Sequence, residues 1–376
     1  MMQLSYWDRQ TWLNGVDYAV VGSGIVGLQT AIHLKKSHPK AKVIILERGS
    51  MPQGASTKNA GFACFGSVSE LLSDLKTFSE TEVLDLVAMR WEGLRLLRQT
   101  LQDFDIEYEQ LGGFEVFRSS DSRLYNECLE AIPELNDRLA AIFKRPVYEV
   151  QRTNESFSGV FNRTIYNQFE GQINTGFMMQ SLIQCAHQLG ILILNGIQVT
   201  NIMASSNGAV LYLEGLELHC KQVAICTNGF ASDFFDLEVQ PARNQVVITK
   251  PIQGLNIKGT YHLEQGYYYF RNVGNRLLLG GGRHLDLIGE TTTEMNQTEN
   301  IQSQLEHLLK TVILPKTPFE IEQRWSGILG IGPQKTPIVK EVMPGIFCGV
   351  RMGGMGVAIG SLVGYKLAKL MTTSIR

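Results

Sequence analysis

Long apolar runs are missing from this 376-residue chain. No window of about 18 consecutive apolar residues occurs, which excludes a transmembrane helix. A surplus of either charge is missing too. Lys plus Arg number 34 and Asp plus Glu 36, for a formal net charge of −2. The positive excess with which a nucleic-acid binder neutralises phosphates is therefore absent. Cysteine is scarce, with 6 residues and no CxxC pair. They read as reduced, mostly buried thiols of a cytoplasmic protein and not as a disulfide framework. Neither an internal repeat nor a low-complexity linker is present, so disorder and fibrous classes fall away. The histidines show no ligand spacing, and HExxH and paired-carboxylate motifs are absent. No metal and no hydrolase chemistry are expected. The first residues, MMQLSYWDRQTWLNG, are polar with two Trp and do not read as a signal peptide.

What is present is glycine, at 37 residues, within a chain that is 44% hydrophobic. Residues 16–21, VDYAVV, read as a buried strand. Residues 25–36 place Ile25, Leu28, Ile32 and Leu34 at roughly helical spacing, and Pro39 stops that helix. Residues 42–47, KVIILE, read as a second strand, which makes a βαβ unit. Between the two elements stands Gly22-Ser23-Gly24-Ile25-Val26-Gly27, a GxGxxG, with Glu47 20 positions after Gly27 at the end of the second strand. Alone the motif is weak; after a strand, before a helix and ahead of an acidic residue it has its full context. Gly22 permits a tight turn, Gly24 lets backbone reach a pyrophosphate at the helix N-terminus, and Gly27 permits close helix–strand packing. Glu47 suits two ribose hydroxyls and disfavours a 2′-phosphate.

The loop at 49–67, GSMPQGASTKNAGFACFGS, is too apolar around Ala60–Phe65 for a solvated segment and suggests backbone packed against a flat ligand. Helices are predicted over 68–105 and 121–143, with a hairpin over 106–118 around Gly112-Gly113. A further helix covers 174–190, with Asn174 or Thr175 as N-cap and Gly190 as stop. Turns follow at Asn207-Gly208 and Glu214-Gly215, and QVAIC returns to the first sheet. Residues 240–285 read as a second, largely antiparallel sheet, 299–312 as a helix, and the tail as strand, glycine turn and helix.

Three blocks, VVGSGIVGLQTAIHLKKSHPKAKVIILERG, GASTKNAGFAC and IFCGVRMGGMGVAIGSLVG, resemble the D-amino-acid oxidase superfamily of FAD-dependent oxidoreductases, the group with glycine and sarcosine oxidases. VQPARNQ resembles a strand pattern of that family, and GYYYFRNVGNRLLLGGGRH resembles its branch with gamma-glutamylputrescine oxidase. The implied fold is α/β: a Rossmann-like FAD-binding domain (15–90, 165–235 and 326–376) interleaved with a substrate domain of mixed or antiparallel sheet plus helices (91–164 and 236–325). The resemblance implies that Gly22, Gly24, Ile25, Val26 and Gly27 hold the FAD pyrophosphate, with Glu47 and Arg48 at the adenosine ribose and Val199 at the adenine. Ser56, Thr57, Asn59, Ala60 and Gly61 would line the path to the isoalloxazine. Thr227, Asn228 and Gly229 would form a second small-residue turn beside it. Gly353, Gly354, Met355, Gly356 and Val357 would set backbone N–H groups at the flavin pyrimidine edge, where negative charge builds on reduction.

The resemblance implies oxidation of a C–N bond of an amino acid or amine by hydride transfer to flavin. It leaves open oxygen or a carrier as electron acceptor, a 2-hydroxy acid as donor, and a catalytically silent flavin-binding protein. RWSGILGIGPQKTP lacks the cysteine through which some members attach FAD, so the cofactor is expected to be non-covalent; Cys348 reads as core. Leu278 stands where some sarcosine-oxidising members have a lysine, and Leu329 where several have a carboxylate-binding arginine. Tyr269, Arg271 and Arg351 remain as substrate-positioning candidates, with Tyr267, Tyr268 and Arg324 beside them. Both Arg271 and Arg351 are expected to converge above the flavin, for a donor bearing a carboxylate. For the tyrosines and Arg271, sheet packing and an inter-strand ion pair stand as the alternatives. Lys58 faces either the cofactor or solvent.

Overall fold

Strand β1 (Val16–Val21) is buried along nearly its whole length, as a central parallel strand must be. It runs into α1 (Ile25–Ser37) and returns as β2 (Val43–Glu47). The structure, a computed structural model, describes residues 4–102 and 104–374. The first three residues of the N-terminal stretch, Asp103 of the helical reading and the last two residues of the final domain segment lie outside it. After β2 come β3 (Phe62–Ala63), α2 (Val68–Leu75), α3 (Glu80–Thr100), β4 (Gly113–Val116), α4 (Ser122–Phe143), β5 (Tyr148–Arg152), β6 (Arg163–Asn167) and β7 (Gly171–Gln172). Then follow α5 (Thr175–Gln188), β8 (Leu192–Asn195), β9 (Val199–Ser205), β10 (Gly208–Leu213) and β11 (Leu216–Ile225). The second half holds β12 (Gln240–Thr249), β13 (Thr260–Leu263), β14 (Tyr268–Val273), β15 (Arg276–Gly281), α6 (Glu299–Leu308), β16 (Ile321–Ile331), β17 (Ile338–Met343), β18 (Ile346–Val350) and α7 (Gly356–Thr373).

The first sheet has the order β17-β18-β11-β1-β2-β8, parallel from β18 to β8, with the β9–β10 hairpin attached to β11. One face packs Ile45 and Phe347 against Leu28 and Ile32 of α1, Leu182 of α5 and Val363 of α7. The other packs Ala19, Ile44 and Val223 against Ile202, Leu211 and Leu218 of the β9–β11 meander. The second sheet runs β16-β12-β15-β14-β13-β4-β6-β5 and is antiparallel except where β13 and β4 pair in parallel. Its core includes Leu305 and Leu308 of α6.

Local signals explain the helix ends. Asn174 Oδ1 accepts from the N–H groups of Gly176 and Phe177, and Gly190 takes the left-handed conformation (φ 73°) just beyond α5. The stretch read as helical over 68–105 holds two helices, because Ser67 with Glu70 and Ser79 with Glu82 each build a capping box. The hairpin expected over 106–118 does not form. β4 lies between β6 and β13, and Gly112 and Gly113 serve close approach to Tyr166 and Glu170 instead of a turn. The expected domain boundaries at 90, 165 and 326 fall inside α3, β6 and β16. β6 and β16 belong wholly to the second sheet, and α3 packs along α7.

Candidate active site

Two cavities meet between the sheets. The first, about 310 Å³, opens at the C-terminal ends of β1 and β2, where open α/β sheets bind ligands. Gly22, Gly24, Ile25, Val26, Glu47, Arg48, Ser56, Asn59, Val199, Thr227 and Asn228 all line it. Gly27 does not; a Cβ there would stand 1.9 Å from the carbonyl oxygen of Gly22, so the glycine lets α1 close onto the turn. The N-cap residue of α1 makes no side-chain hydrogen bond; Ile25 N–H donates to Ser56 Oγ at 3.0 Å, across from the loop. Glu47 is buried, and its carboxylate accepts from Ser23 N–H at 3.1 Å, Ser23 Oγ at 2.6 Å and Gly49 N–H at 3.0 Å. These bonds fix its direction toward the cavity. The Arg48 guanidinium lies over the Phe230 ring at 4.0 Å.

The second cavity, about 210 Å³, shares Ala55, Asn59, Leu329, Gly354 and Val357 with the first. Ala60, Gly353 and Met355 line it, as does Lys58. Thr57, Gly61 and Gly229 line neither cavity. Thr57 Oγ1 donates to Pro52 O and Gly54 O, Gly61 sits against the Ile173 carbonyl, and Gly229 against that of Leu329. They shape the wall from behind. Gly353 and Gly354 take left-handed φ values of 58° and 84°, which brings the chain into α7 with no side chain capping its first turn. Gly353, Met355 and Ala358 N–H donate to Gly330 O, Met352 O and Met355 O, while among the described residues the N–H groups of Gly354, Gly356 and Val357 make no hydrogen bond and can meet an acceptor. Asn228 Oδ1 accepts from Arg351 N–H and Met352 N–H and so ties the two small-residue turns together.

Of the substrate-positioning candidates, only Tyr269 reaches the second cavity. Its hydroxyl, pushed up to about 12 by burial, accepts from Asn244 Nδ2 at 3.4 Å. The two arginines do not converge there, and the expectation of a guanidinium clamp is corrected. Arg271 donates to Ala60 O, Ile173 O and Asn272 O, and braces the flavin-type loop from behind. Arg351 has φ 68° and donates to Thr336 O and Glu238 O; the left-handed backbone turns its side chain toward those carbonyls. Arg324 pairs with Gln302 and Glu306 on α6. Tyr267 is half exposed against the His284 ring, and Tyr268 is in the α6 core. Leu278 packs with Ala60 and Val246, and Cys348 is fully buried.

Several lining residues escaped sequence reasoning: Phe62, Cys64, Glu70, Asn244, Val246 and His262. His262 Nε2 lies 2.9 Å from Glu170 Oε2, with both side chains buried. Cys64 Sγ is within 4.8 Å of both, but the 2.9 Å spacing is that of a hydrogen bond, so the trio reads as a dyad with a neighbouring thiol. Only strand parity carried a hint, since Asn244 and Val246 alternate on one face of β12.

The residues fit a dinucleotide flavin. Among the described residues Thr227 Oγ1 is a buried polar atom without a partner in the first cavity, the glycine turn leaves room for a pyrophosphate, and the N-termini of α1 and α7 border the cavities. A nucleotide cradle joined to a second, mainly apolar cavity defines a flavoprotein oxidoreductase. The chain belongs to the FAD-dependent oxidoreductase family (DAO), whose model matches residues 17–370, and it binds FAD. Glycine oxidase of Geobacillus kaustophilus is 25% identical over 290 residues, covering 70% of this chain and 69% of that protein. Gamma-glutamylputrescine oxidoreductase of Escherichia coli is 23% identical over 384 residues, covering 94% and 83%. The crystal structure of the G. kaustophilus glycine oxidase superposes with a TM-score of 0.73 at 21% identity, over 95% of this chain and 94% of that one. Among the described residues no helix is long and apolar enough to cross a membrane.

Replacing Glu47 with Ala should weaken FAD binding without abolishing it. Loss of one or two hydrogen bonds to a charged acceptor costs about 1.5–3 kcal/mol each. Titration of the apoprotein with FAD, followed by flavin fluorescence, measures the change.

Proposed function

We propose that this protein oxidises the C–N bond of an amine whose reacting carbon bears no carboxylate. The observation that carries this reading is the lining of the second cavity. Phe62, Val246, Tyr269, Leu329 and Met355 give it apolar walls; Glu70 supplies a carboxylate, and no arginine faces it among the described residues. An α-amino acid or a 2-hydroxy acid needs its carboxylate gripped, and the bidentate fork suited to that is turned away in both candidate arginines. Lys58, also in the lining, is a single point charge on a flexible stem. The names of relatives support amine chemistry in general, one acting on glycine and one on gamma-glutamylputrescine.

When bound, the flavin supplies the electron sink for a hydride from the carbon next to nitrogen. The chain's part is positional. The walls exclude water and hold the donor, Tyr269 and Asn244 offer polar contacts, and the uncapped start of α7 stabilises negative charge at its end of the cavity. FAD should be non-covalent, since residues 324–337 contain no cysteine.

The deciding experiment is anaerobic addition of butylamine, N-methylbutylamine, benzylamine, glycine, D-alanine and lactate to the yellow holoprotein, read at the flavin absorbance. Bleaching by amines, with little or none by the carboxylates, is expected. Bleaching by glycine, D-alanine or lactate in preference to every amine would overturn the reading.

A further inference from the structure

The amine reading, on which this inference rests, leaves one demand unmet. A protonated amine keeps its electron pair in an N–H bond and does not release hydride from the neighbouring carbon, so an amine that enters as the ammonium must lose that proton in the cavity before it reacts. Glu70 lines the cavity, but its Oε2 accepts from Ser67 N–H in the capping box of α2. Tyr269 and Cys64 also line it. Burial raises both, and for Cys64 the carboxylates of Glu170 and Glu70 add to it, so both stay protonated and have no lone-pair base to offer.

His262 is different. It stands on β13 in the cavity wall, with the Phe62 ring set edge-on to its imidazole at 5.5 Å. Nε2 is bound to Glu170 Oε2 at 2.9 Å, so the proton of the neutral ring resides there and the Nδ1 lone pair is left over. Nδ1 makes no hydrogen bond among the described residues. Glu170 is itself held by Asn167 Nδ2 at 3.3 Å and Thr260 Oγ1 at 3.4 Å. Its place exists only because residue 113 is glycine; a Cβ there would lie 1.9 Å from Glu170 Oε2.

We propose that the His262–Glu170 pair is the proton acceptor of this cavity, Nδ1 of neutral His262 taking a proton from the ammonium group of the bound amine. The ammonium N–H bond breaks, its electron pair stays on the substrate nitrogen, and an Nδ1–H bond forms. The Glu170 carboxylate offsets the imidazolium charge through its bond to Nε2; nothing is oxidised in this step. Charged and titratable groups facing the pair are Glu115 from β4, Glu70 from α2, Cys64 after β3, and Glu170 itself. Burial alone would push His262 down. Glu170 outweighs it by charge and hydrogen bond, with Glu70 and Glu115 adding to the effect, and the imidazole is raised to about 9. The neutral ring that accepts the proton therefore forms as pH rises through about 9, and flavin reduction by an amine should rise with it; an alkylammonium loses its own proton near about 10, so transfer inside the cavity is within about one unit of balance.

The test uses holoprotein with ¹³C-labelled histidine, reduced with dithionite so that no turnover occurs. The His262 Cε1–H resonance is identified by its loss in His262→Gln. It should titrate near pH 9 in the wild type. In Glu170→Gln it should titrate lower by at least about one pH unit, because the anion that stabilises the imidazolium is gone. At pH 10, saturating butylamine should shift the wild-type resonance part of the way toward its protonated position, an arm that needs no variant. A resonance that ignores butylamine, or a titration unmoved in Glu170→Gln, overturns the proposal. So does a stoichiometric metal ion found by elemental analysis, which would occupy the imidazole. Failure of the amine reading shows separately, as flavin that no amine bleaches.

Discussion

Gly24→Val is expected to purify colourless, with a folded first sheet and FAD affinity reduced at least about a hundredfold, about 2.8 kcal/mol. Gly24 is the N-cap of α1 with φ −73°, a conformation open to any L-residue, so the helix still starts. The obstacle is space. A Cβ at Gly24 would lie 2.9 Å from Ser56 Oγ, inside the first cavity, and the two valine methyls extend further along the pyrophosphate's approach. Ser56 would be displaced, and with it the hydrogen bond to Ile25 N–H. Gly27→Ala supplies the contrast. There the new methyl meets the Gly22 carbonyl oxygen at 1.9 Å, backbone against backbone, and the βαβ unit itself should fail to close. The flavin-to-protein absorbance ratio and a circular-dichroism melt separate the two. Full FAD content in Gly24→Val would mean that the nucleotide does not enter over this turn.

The contrast also marks how far the sequence could be read. The βαβ unit was legible because periodicity, glycine spacing and an acidic strand end are local, and each of them reports the same backbone path. The α5 boundaries were legible for the same reason, with Asn174 and Gly190 acting within a few residues of themselves. The second cavity was not. Gly112-Gly113 carries a turn-like signature, yet its glycines are there to admit Tyr166 and Glu170, from more than 50 positions away. Strand alternation in YYYFR suggests one face for Tyr267, Tyr269 and Arg271, but Tyr267 lies before the strand begins, and the Arg271 guanidinium on its long stem goes to the carbonyls of Ala60 and Ile173. Arg351 lies in a left-handed residue, where strand parity has no meaning. His262 reaches Glu170 through the parallel β13–β4 pairing and the bond from Gly112 N–H to Glu170 O just before β4, for which the sequence holds no local sign.

Arg243→Met should lose about 3–5 kcal/mol of stability, the cost of leaving a buried carboxylate without its partner. Arg243 and Glu290 are both nearly fully buried, joined by Nε to Oε2 at 2.9 Å and Nη2 to Oε1 at 2.8 Å. Further donations reach Gly289 O, Glu294 O and Asn296 Oδ1, and two residues along the strand Gln245 binds Glu290 and Thr298. The network clamps the segment between β15 and α6 onto β12. Because side chains alternate along a strand, Arg243 and Gln245 face this clamp while Asn244 and Val246 face the second cavity. Stability and FAD binding should therefore separate: Arg243→Met should unfold at lower urea yet retain FAD in native buffer. The doubly substituted Arg243→Met/Glu290→Leu should recover most of the loss, since it removes the uncompensated charge together with its partner. A single variant that costs under about 1 kcal/mol would show that hydration reaches Glu290 and that the pair is no clamp. A double variant no better than the single one would place the stability in the hydrogen bonds to Gly289, Glu294 and Asn296, which methionine also forfeits.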